Sequence, residues 1–70
     1  MSFISIVTPT FNEQDNIEKF CLAVQLEMEK NSLDYEHIVI DNHSTDKTSE
    51  IVKNLISKDK KLKLIINNKN

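Results

Sequence analysis

The chain has 70 residues, with 11 acidic and 9 basic side chains and a formal net charge of −2 at pH 7. This size allows one small core at most, the single cysteine excludes an internal disulfide, and the acidic balance argues against nucleic acid as a partner. No apolar run approaches the length of about 18 residues that a membrane span needs, and the first residues carry no signal-peptide pattern.

A short, β-branched apolar run predicts a buried first strand over residues 4–8. Pro9 is expected to end this strand, because proline cannot donate to a β-ladder. The polar segment that follows, as far as Gln14, indicates a loop that carries one aromatic residue, Phe11. The first strand is therefore expected to lead directly into a polar surface loop.

The next segment has the start signal and the spacing of a helix over residues 15–30. Asp15 and Glu18 fit a capping box, with Asp15 as the cap. Apolar residues then recur at helical spacing, and they are Ile17, Phe20, Cys21, Val24 and Met28. Asn31 is expected to end the helix in the left-handed conformation, and Cys21 to be an inert core residue.

The second half of the sequence repeats this pattern and adds a third strand. Apolar runs predict strands over residues 36–41 and 62–67, and helical spacing predicts a helix over 46–57 between them. The polar turn before that helix offers Asp46 as an N-cap. The lysine-rich turn before the third strand is expected to be a solvated surface.

The β-α-β-α-β order predicts a single α/β domain over residues 1–70, with a parallel sheet in the order 3-2-1. Ligands bind beyond the carboxyl ends of the strands in such sheets, and polar residues follow all three strands of this sequence. An isolated chain of this size with an open sheet edge is expected to be marginally stable or to associate with itself.

Two segments at the ends of the first two strands resemble a known family. Residues 6–13 form a strand followed by P-T-F-N-E, and residues 41–48 read D-N-H-S-T-D-K-T. Together they resemble the start of a family 2 glycosyltransferase with the A-type fold. Among these enzymes they most resemble the polyprenyl-phosphate sugar transferases, such as bactoprenol glucosyltransferase and dolichol-phosphate mannose synthase. The ending from Asn67 to Asn70 resembles an N-x-x-N of that group, whereas His43 replaces a residue that is small in many relatives.

The resemblance implies that the chain is the nucleotide-binding first half of a Rossmann-like A-type glycosyltransferase domain. The implied activity is hexosyl transfer from a UDP- or GDP-sugar to a polyprenyl-phosphate or saccharide acceptor. The chain would supply recognition of the nucleobase and ribose and would be inactive alone. The D-x-D motif, which holds the divalent metal in the family, does not occur in the sequence. The chain is therefore expected to be the amino-terminal piece of a longer enzyme.

Seven residues match donor-binding positions of the family, and they are Thr8, Pro9, Phe11, Glu13, Asp41, Asn42 and Ser44. Phe11 matches an aromatic that lies against the uracil ring, where offset stacking contributes about 1 kcal/mol. Asp41 matches the carboxylate that accepts a hydrogen bond from uracil N3–H, which suits a group that is acceptor-only when ionised. Asp46 matches a turn residue that caps the second helix. No residue of the chain matches a catalytic residue or a metal ligand.

The resemblance also implies a cofactor and partners for the complete enzyme. A divalent metal, Mg or Mn, is expected, although its ligand motif is absent from this sequence. The expected partners are a nucleotide-sugar donor and a lipid-phosphate or saccharide acceptor, with no nucleic acid. The expected location is the cytoplasm, with the longer enzyme at the cytoplasmic face of a membrane.

Two other classes of protein share the β-α-β order. A receiver-like signalling or interaction module needs a phosphoacceptor aspartate after the third strand, where this sequence has Asn67 and Asn68. A Rossmann-type dinucleotide binder needs glycines in its first turn, and the sequence contains no glycine. The two histidines, His37 and His43, are expected to be a strand and a turn residue, because they lack the spacing of a zinc site.

Overall fold

A computed structural model describes residues 2–68 of the chain. Its elements in order are β1 (Phe3–Thr10), α1 (Ile17–Lys30), β2 (Asp34–Asp41), α2 (Thr48–Ile56) and β3 (Leu62–Ile66). The strands form one parallel sheet in the order β1-β2-β3. The α/β class and the predicted parallel sheet are therefore confirmed. The last two residues of the N-x-x-N segment, Lys69 and Asn70, lie outside the described residues.

The first strand continues through Pro9, so the prediction that this proline ends the strand is wrong. Pro9 pairs in register with Ile40, and Thr10 with Asp41. In the described sheet β1 is an edge strand. Proline is tolerated on an edge strand because its missing N–H can face the side that has no neighbouring strand. The strand therefore extends to Thr10 before the chain turns.

Both helices begin two residues later than predicted. Asn16 at the N-cap of α1 makes no side-chain capping hydrogen bond, so the predicted capping box of Asp15 and Glu18 is wrong. The carbonyl of Glu13 instead accepts hydrogen bonds from the amides of Asn16 and Ile17, at 3.0 and 2.8 Å. Backbone contacts from the preceding loop therefore satisfy donors that a capping side chain would otherwise satisfy.

Three non-glycine residues adopt left-handed backbone in this glycine-free chain, namely Asn12, Ser32 and His43, with φ of 50°, 53° and 64°. Asn31, predicted to be left-handed, has a φ of −95°. Its side-chain amide donates to the carbonyl of Glu27 at 2.8 Å, and its backbone amide bonds the same carbonyl. Because Asn31 closes the helix end in this way, the left-handed turn falls on the next residue.

The core lies on one face of the sheet, beneath both helices. Its buried members are Ile17, Cys21, Val39, Val52, Leu55 and Leu62. Right-handed crossovers between successive neighbouring strands place both helices on the same face of the sheet. Burial raises the pKa of the Cys21 thiol to about 11, with a smaller contribution from Asp59, which fits an unreactive core position.

The opposite face of the sheet, which we call the open face, carries no helix of the described chain. Phe3, Val7 and Ile65 on this face are 58%, 53% and 52% exposed. A polar row crosses it, because the carboxylate of Glu36 accepts hydrogen bonds from Lys63 at 2.6 Å and from Ser5 at 2.5 Å. Those two hydrogen bonds lower the pKa of Glu36. The open face is therefore apolar and crossed by one charged row.

Candidate functional site

A cavity of about 430 Å³ lies where β1 ends and α1 begins. It is lined by Thr8, Pro9, Thr10, Phe11, Glu13, Asn16, Ile17 and Phe20. Four of the seven predicted donor-binding residues, Thr8, Pro9, Phe11 and Glu13, are therefore brought together at one cavity. The Phe11 side chain is 51% exposed, so an aromatic face is available to a ligand. Phe20, expected on the apolar face of α1, is 44% exposed and lines the same cavity.

The other three predicted residues lie at the end of β2 and in the loop that follows it. Asp41 is buried, at 2% exposure, and its carboxylate accepts hydrogen bonds from the amide of Ser44, at 3.2 Å, and from the Ser44 hydroxyl. The amide of Asn42 donates to the carbonyl of Thr10 at 2.9 Å. These three residues, Asp41, Asn42 and Ser44, are neighbours of the segment that lines the cavity. They are not themselves among the described residues that line it.

Side-chain hydrogen bonds hold loop 1 (residues 11–16) against loop 2 (residues 42–47). Three consecutive amides of loop 1 donate to side chains of loop 2 or of α2. The amide of Asn12 donates to Ser44 Oγ at 2.9 Å, that of Glu13 to Thr48 Oγ1 at 2.8 Å, and that of Gln14 to Asp46 Oδ2 at 3.2 Å. The two loops therefore form one clasp, in which the cavity-lining segment is fixed from outside the cavity.

Amides of loop 2 also donate hydrogen bonds to side chains of loop 1, which completes the clasp. The amide of Thr45 donates to Asn12 Oδ1 at 2.8 Å, and the amide of Lys47 donates to Gln14 Oε1 at 3.1 Å. Asn12 adopts its left-handed backbone in the middle of this network, a conformation that asparagine tolerates better than most residues. The clasp thus includes Asn12, Thr45 and Thr48, which the sequence analysis did not assign to the site.

Asp46 joins the two loops through both of its carboxylate oxygens. Partial burial opposes its ionisation, but hydrogen bonds from the side chain and amide of Thr48 and from the amide of Gln14 outweigh this and lower the pKa of Asp46. Asp46 Oδ1 accepts from the amide of Thr48 at 2.9 Å, although the N-cap position itself is occupied by Lys47. Asp46 therefore satisfies a donor at the start of α2 and also anchors loop 1.

Thr10 is the most informative cavity residue that the sequence analysis did not assign. It is 6% exposed, and its hydroxyl has no hydrogen-bond partner among the described residues. A buried hydroxyl without a partner carries a desolvation cost, which a ligand that bonds to it can offset. Thr10 lies between two predicted donor-binding residues, Pro9 and Phe11, and this position could have indicated its place in the site. It was not assigned to the site, because the strand was predicted to end at Pro9 and Thr10 was therefore placed in the loop.

His37, on the helix-covered face of β2, contacts two of the residues that line the cavity, Thr8 and Phe20. It is 2% exposed, its Nε2 lies 2.9 Å from Thr8 Oγ1, and its ring meets that of Phe20 edge-on with centroids 5.9 Å apart. Burial lowers the pKa of His37, and the charge of Asp59 opposes this only in part. Burial therefore favours the neutral form of the ring in the folded chain.

We expect His37 to make the free energy of unfolding fall as the pH is lowered through about 6.5, the ordinary pKa of histidine. The folded-state pKa is the lower one, so the unfolded chain binds more protons in this range and acid favours unfolding. Urea denaturation between pH 7.5 and 5.5 measures the slope, above the range in which carboxylates titrate. His43→Gln is the control variant, because it leaves His37 as the remaining histidine of the chain, and the slope should persist in it. Equal stability at both pH values would contradict the prediction.

Two further features bear on the chemistry of the site. Within residues 2–68 no group of three or more His, Cys, Asp or Glu side chains is placed to hold a metal ion. The residues of this site therefore do not fit the divalent metal that the resemblance implies. Across the same residues, the helices are too short or too polar to cross a membrane.

Comparison with known proteins assigns the chain to a family. The model of the family described as glycosyl transferase family 2 matches residues 5–70, which is nearly the whole sequence. The chain belongs to glycosyl transferase family 2. The family predicted from the two loop motifs is confirmed, and both loops of the clasp lie inside the matched range.

Several curated relatives of this family 2 chain are named for lipid-linked sugar transfer. A Methanococcus voltae protein, named dolichyl N-acetyl-alpha-D-glucosaminyl phosphate 3-beta-D-2,3-diacetamido-2,3-dideoxy-beta-D-glucuronosyltransferase, is 43% identical over 58 residues, which cover 83% of the chain and 18% of the relative. A Campylobacter jejuni protein, GalNAc(5)-diNAcBac-PP-undecaprenol beta-1,3-glucosyltransferase, is 37% identical over 67 residues, covering 96% of the chain and 21% of the relative.

A third relative is the dolichol-phosphate mannosyltransferase of Pyrococcus furiosus, which is 36% identical over 55 residues. That match covers 79% of the chain and 15% of the relative. The family 2 chain therefore spans less than a quarter of the length of each of these three relatives.

Proposed function

We propose that this chain is the donor-nucleotide-binding portion, over residues 1–70, of a family 2 glycosyltransferase. The activity is hexosyl transfer from a UDP- or GDP-sugar to a polyprenyl-phosphate or saccharide acceptor, at the cytoplasmic face of a membrane. Family membership supports the reaction class, and the names of relatives that refer to dolichyl and undecaprenol carriers support the acceptor class. The chain alone supplies recognition of the nucleoside and no catalytic residue.

The observation that carries the proposal is the cavity at the carboxyl end of β1, where Thr8, Pro9, Phe11 and Glu13 meet. Parallel sheets bind ligands at this end of their strands. The half-exposed ring of Phe11 offers a stacking surface, and the unpartnered hydroxyl of Thr10 offers a hydrogen bond. An apolar surface beside a few polar groups is the arrangement that binds a flat, polar-edged nucleobase.

The divalent ion, Mg or Mn, is part of the proposed function of a longer enzyme, but the described residues do not provide its ligands. The residues of this chain therefore only bind and orient the donor nucleotide. Phe11 supports the base from one side, Thr10 and Glu13 lie beside it, and loop 2 holds loop 1 in place.

Replacing Phe11 with alanine is expected to weaken binding of UDP and CDP by a similar factor of about 5. The reason is that stacking contributes about 1 kcal/mol and reads the ring face rather than its edge. The measurement is an NMR titration of the 70-residue chain, which reports affinity and site together. GDP, TDP and CMP in parallel establish which base is preferred.

Phe3→Ala is the matched control, because Phe3 is 58% exposed and lies on the open face, away from the cavity. It should bind UDP like the wild type. The function would be rejected if none of the nucleotides shifted resonances of the cavity residues at millimolar concentration. The role of Phe11 alone would be rejected if Phe11→Ala and Phe3→Ala bound UDP equally well.

A further inference from the structure

Thr48 is the first residue of α2, and its exposed fraction is 0%. Its hydroxyl accepts a hydrogen bond from the amide of Glu13 at 2.8 Å and donates one to Asp46 Oδ1 at 2.5 Å. A hydroxyl has one proton to donate and lone pairs to accept with, so this group is satisfied in both directions. The contact joins residues that are 35 positions apart in the sequence.

The backbone of Glu13 is held from both of its ends. Its amide is bound by Thr48, and its carbonyl accepts the amides of Asn16 and Ile17 at the start of α1. Glu13 is also one of the residues that line the cavity. The position of this cavity residue is therefore set by the starts of both helices, and Thr48 is the link to the second one.

Asp46 extends the same link by one residue. Its Oδ1 accepts from the amide and hydroxyl of Thr48, while its Oδ2 accepts from the amide of Gln14. A carboxylate that bonds a buried hydroxyl fixes the direction in which that hydroxyl donates, so the free lone pairs of Thr48 Oγ1 face Glu13. Asp46 and Thr48 thus act as one unit on two consecutive amides of loop 1.

We infer that Thr48, oriented by Asp46, is a positioning residue for the nucleotide site: it sets the geometry of the cavity-lining loop without touching the ligand. The inference rests on the proposed function. It follows from geometry, since Thr48 does not line the cavity but fixes the backbone of Glu13, which does. Valine has nearly the shape of threonine and lacks the hydroxyl, so it would leave the amide of Glu13 without an acceptor.

The test compares Thr48→Val, Thr48→Ser and the wild-type chain. Affinity for UDP is measured by NMR titration at a temperature where each variant is fully folded, together with hydrogen exchange of the Glu13 amide. Thr48→Val is expected to bind UDP about 5- to 10-fold more weakly and to lose protection of that amide. Thr48→Ser keeps the hydroxyl and should restore both.

Val52→Ala is the matched control, because Val52 lies four residues further along α2, is fully buried and belongs to the core. It should lower the melting temperature and leave UDP affinity unchanged. Asp46→Asn is the second variant. It changes a partly exposed loop residue, so it can test the positioning role even if Thr48→Val does not fold. It replaces one of the two carboxylate oxygens with an NH₂ donor, so the amides of Gln14 and Thr48 can no longer both be satisfied, and it should weaken UDP binding about 3-fold or more.

Each outcome decides between the two proposals. If the wild type binds UDP and Thr48→Val or Asp46→Asn binds it equally well, the positioning role is overturned and the function stands. A loss of affinity in Val52→Ala as large as in Thr48→Val would also overturn it, since stability alone would then explain both. If the wild type binds neither UDP nor GDP, the proposed function fails and the positioning role falls with it.

Discussion

Replacing Asp41 with alanine is expected to weaken UDP binding by about 10- to 150-fold. This range corresponds to the loss of a hydrogen bond to a charged acceptor, about 1.5–3 kcal/mol. An ionised carboxylate has about four acceptor sites, and two hydrogen bonds from Ser44 use part of this capacity. The remaining capacity is what uracil N3–H would use. Calorimetry or NMR titration with UDP measures the loss.

Asp41→Asn separates base recognition from support of the loop. The amide oxygen can still accept from Ser44, while the NH₂ group can donate to N3 of cytosine, so the variant should lose affinity for UDP and gain it for CDP. Ser44→Ala is the matched control. It removes the hydroxyl that links Asp41 to the amide of Asn12 and should weaken UDP and CDP alike.

The burial of Asp41 makes this comparison necessary. With 2% exposure and both oxygens bonded to Ser44, the carboxylate is also well placed to act only as an anchor for loop 2. Unchanged UDP affinity in Asp41→Asn, with no gain for CDP, would exclude the role in reading uracil. Asp41 would then have a structural function only.

Leu62→Ala is expected to lower the free energy of unfolding by about 2–5 kcal/mol, as deletion of a buried leucine side chain typically does. Leu62 is 2% exposed and packs in the core at the start of β3. A chain of this length has a total stability of about 3.5–10 kcal/mol on ordinary per-residue values. The single change would therefore remove a large share of the stability. Urea denaturation followed by circular dichroism gives the value.

Ile65→Ala, three residues along the same strand, is the matched control for the two faces of the sheet. Ile65 is 52% exposed on the open face, so its truncation should cost less than about 1 kcal/mol. Equal losses at the two positions would mean that the open face is buried in solution. A concentration-dependent melting temperature would then identify self-association, which the small size of the chain already leads us to expect.

The order and direction of the strands were predictable because each buried run is separated from the next by a helix long enough for a crossover. Two local features were not. The extension of β1 through Pro9 depends on which edge of the sheet the strand occupies, and the start of α1 depends on the carbonyl of Glu13. Both are set by neighbours in space, so a local pattern such as the Asp15–Glu18 capping box could not reveal them.

Only part of the arrangement at the candidate site could be predicted from the sequence. The family resemblance of the two loop motifs pointed to Phe11 and Glu13, which line the cavity, and to Asp41, which does not. The burial of Asp41 and the role of Thr48 follow only from the contact between the two loops. No short-range signal marks a threonine as the acceptor for an amide 35 residues earlier, because the pairing is created by the parallel arrangement of β1 and β2.

The clasp between the loops also fixes when the site can form during synthesis. The amides of residues 12, 13 and 14 bond to side chains that lie 32 to 35 residues later in the chain. At translation speeds of roughly 5–20 residues per second, loop 1 is made about 2–7 s before its acceptors exist. Such distant contacts form only after the intervening chain has closed into a loop, at an entropic cost. The nascent chain therefore has no early, partly assembled form of the proposed nucleotide site.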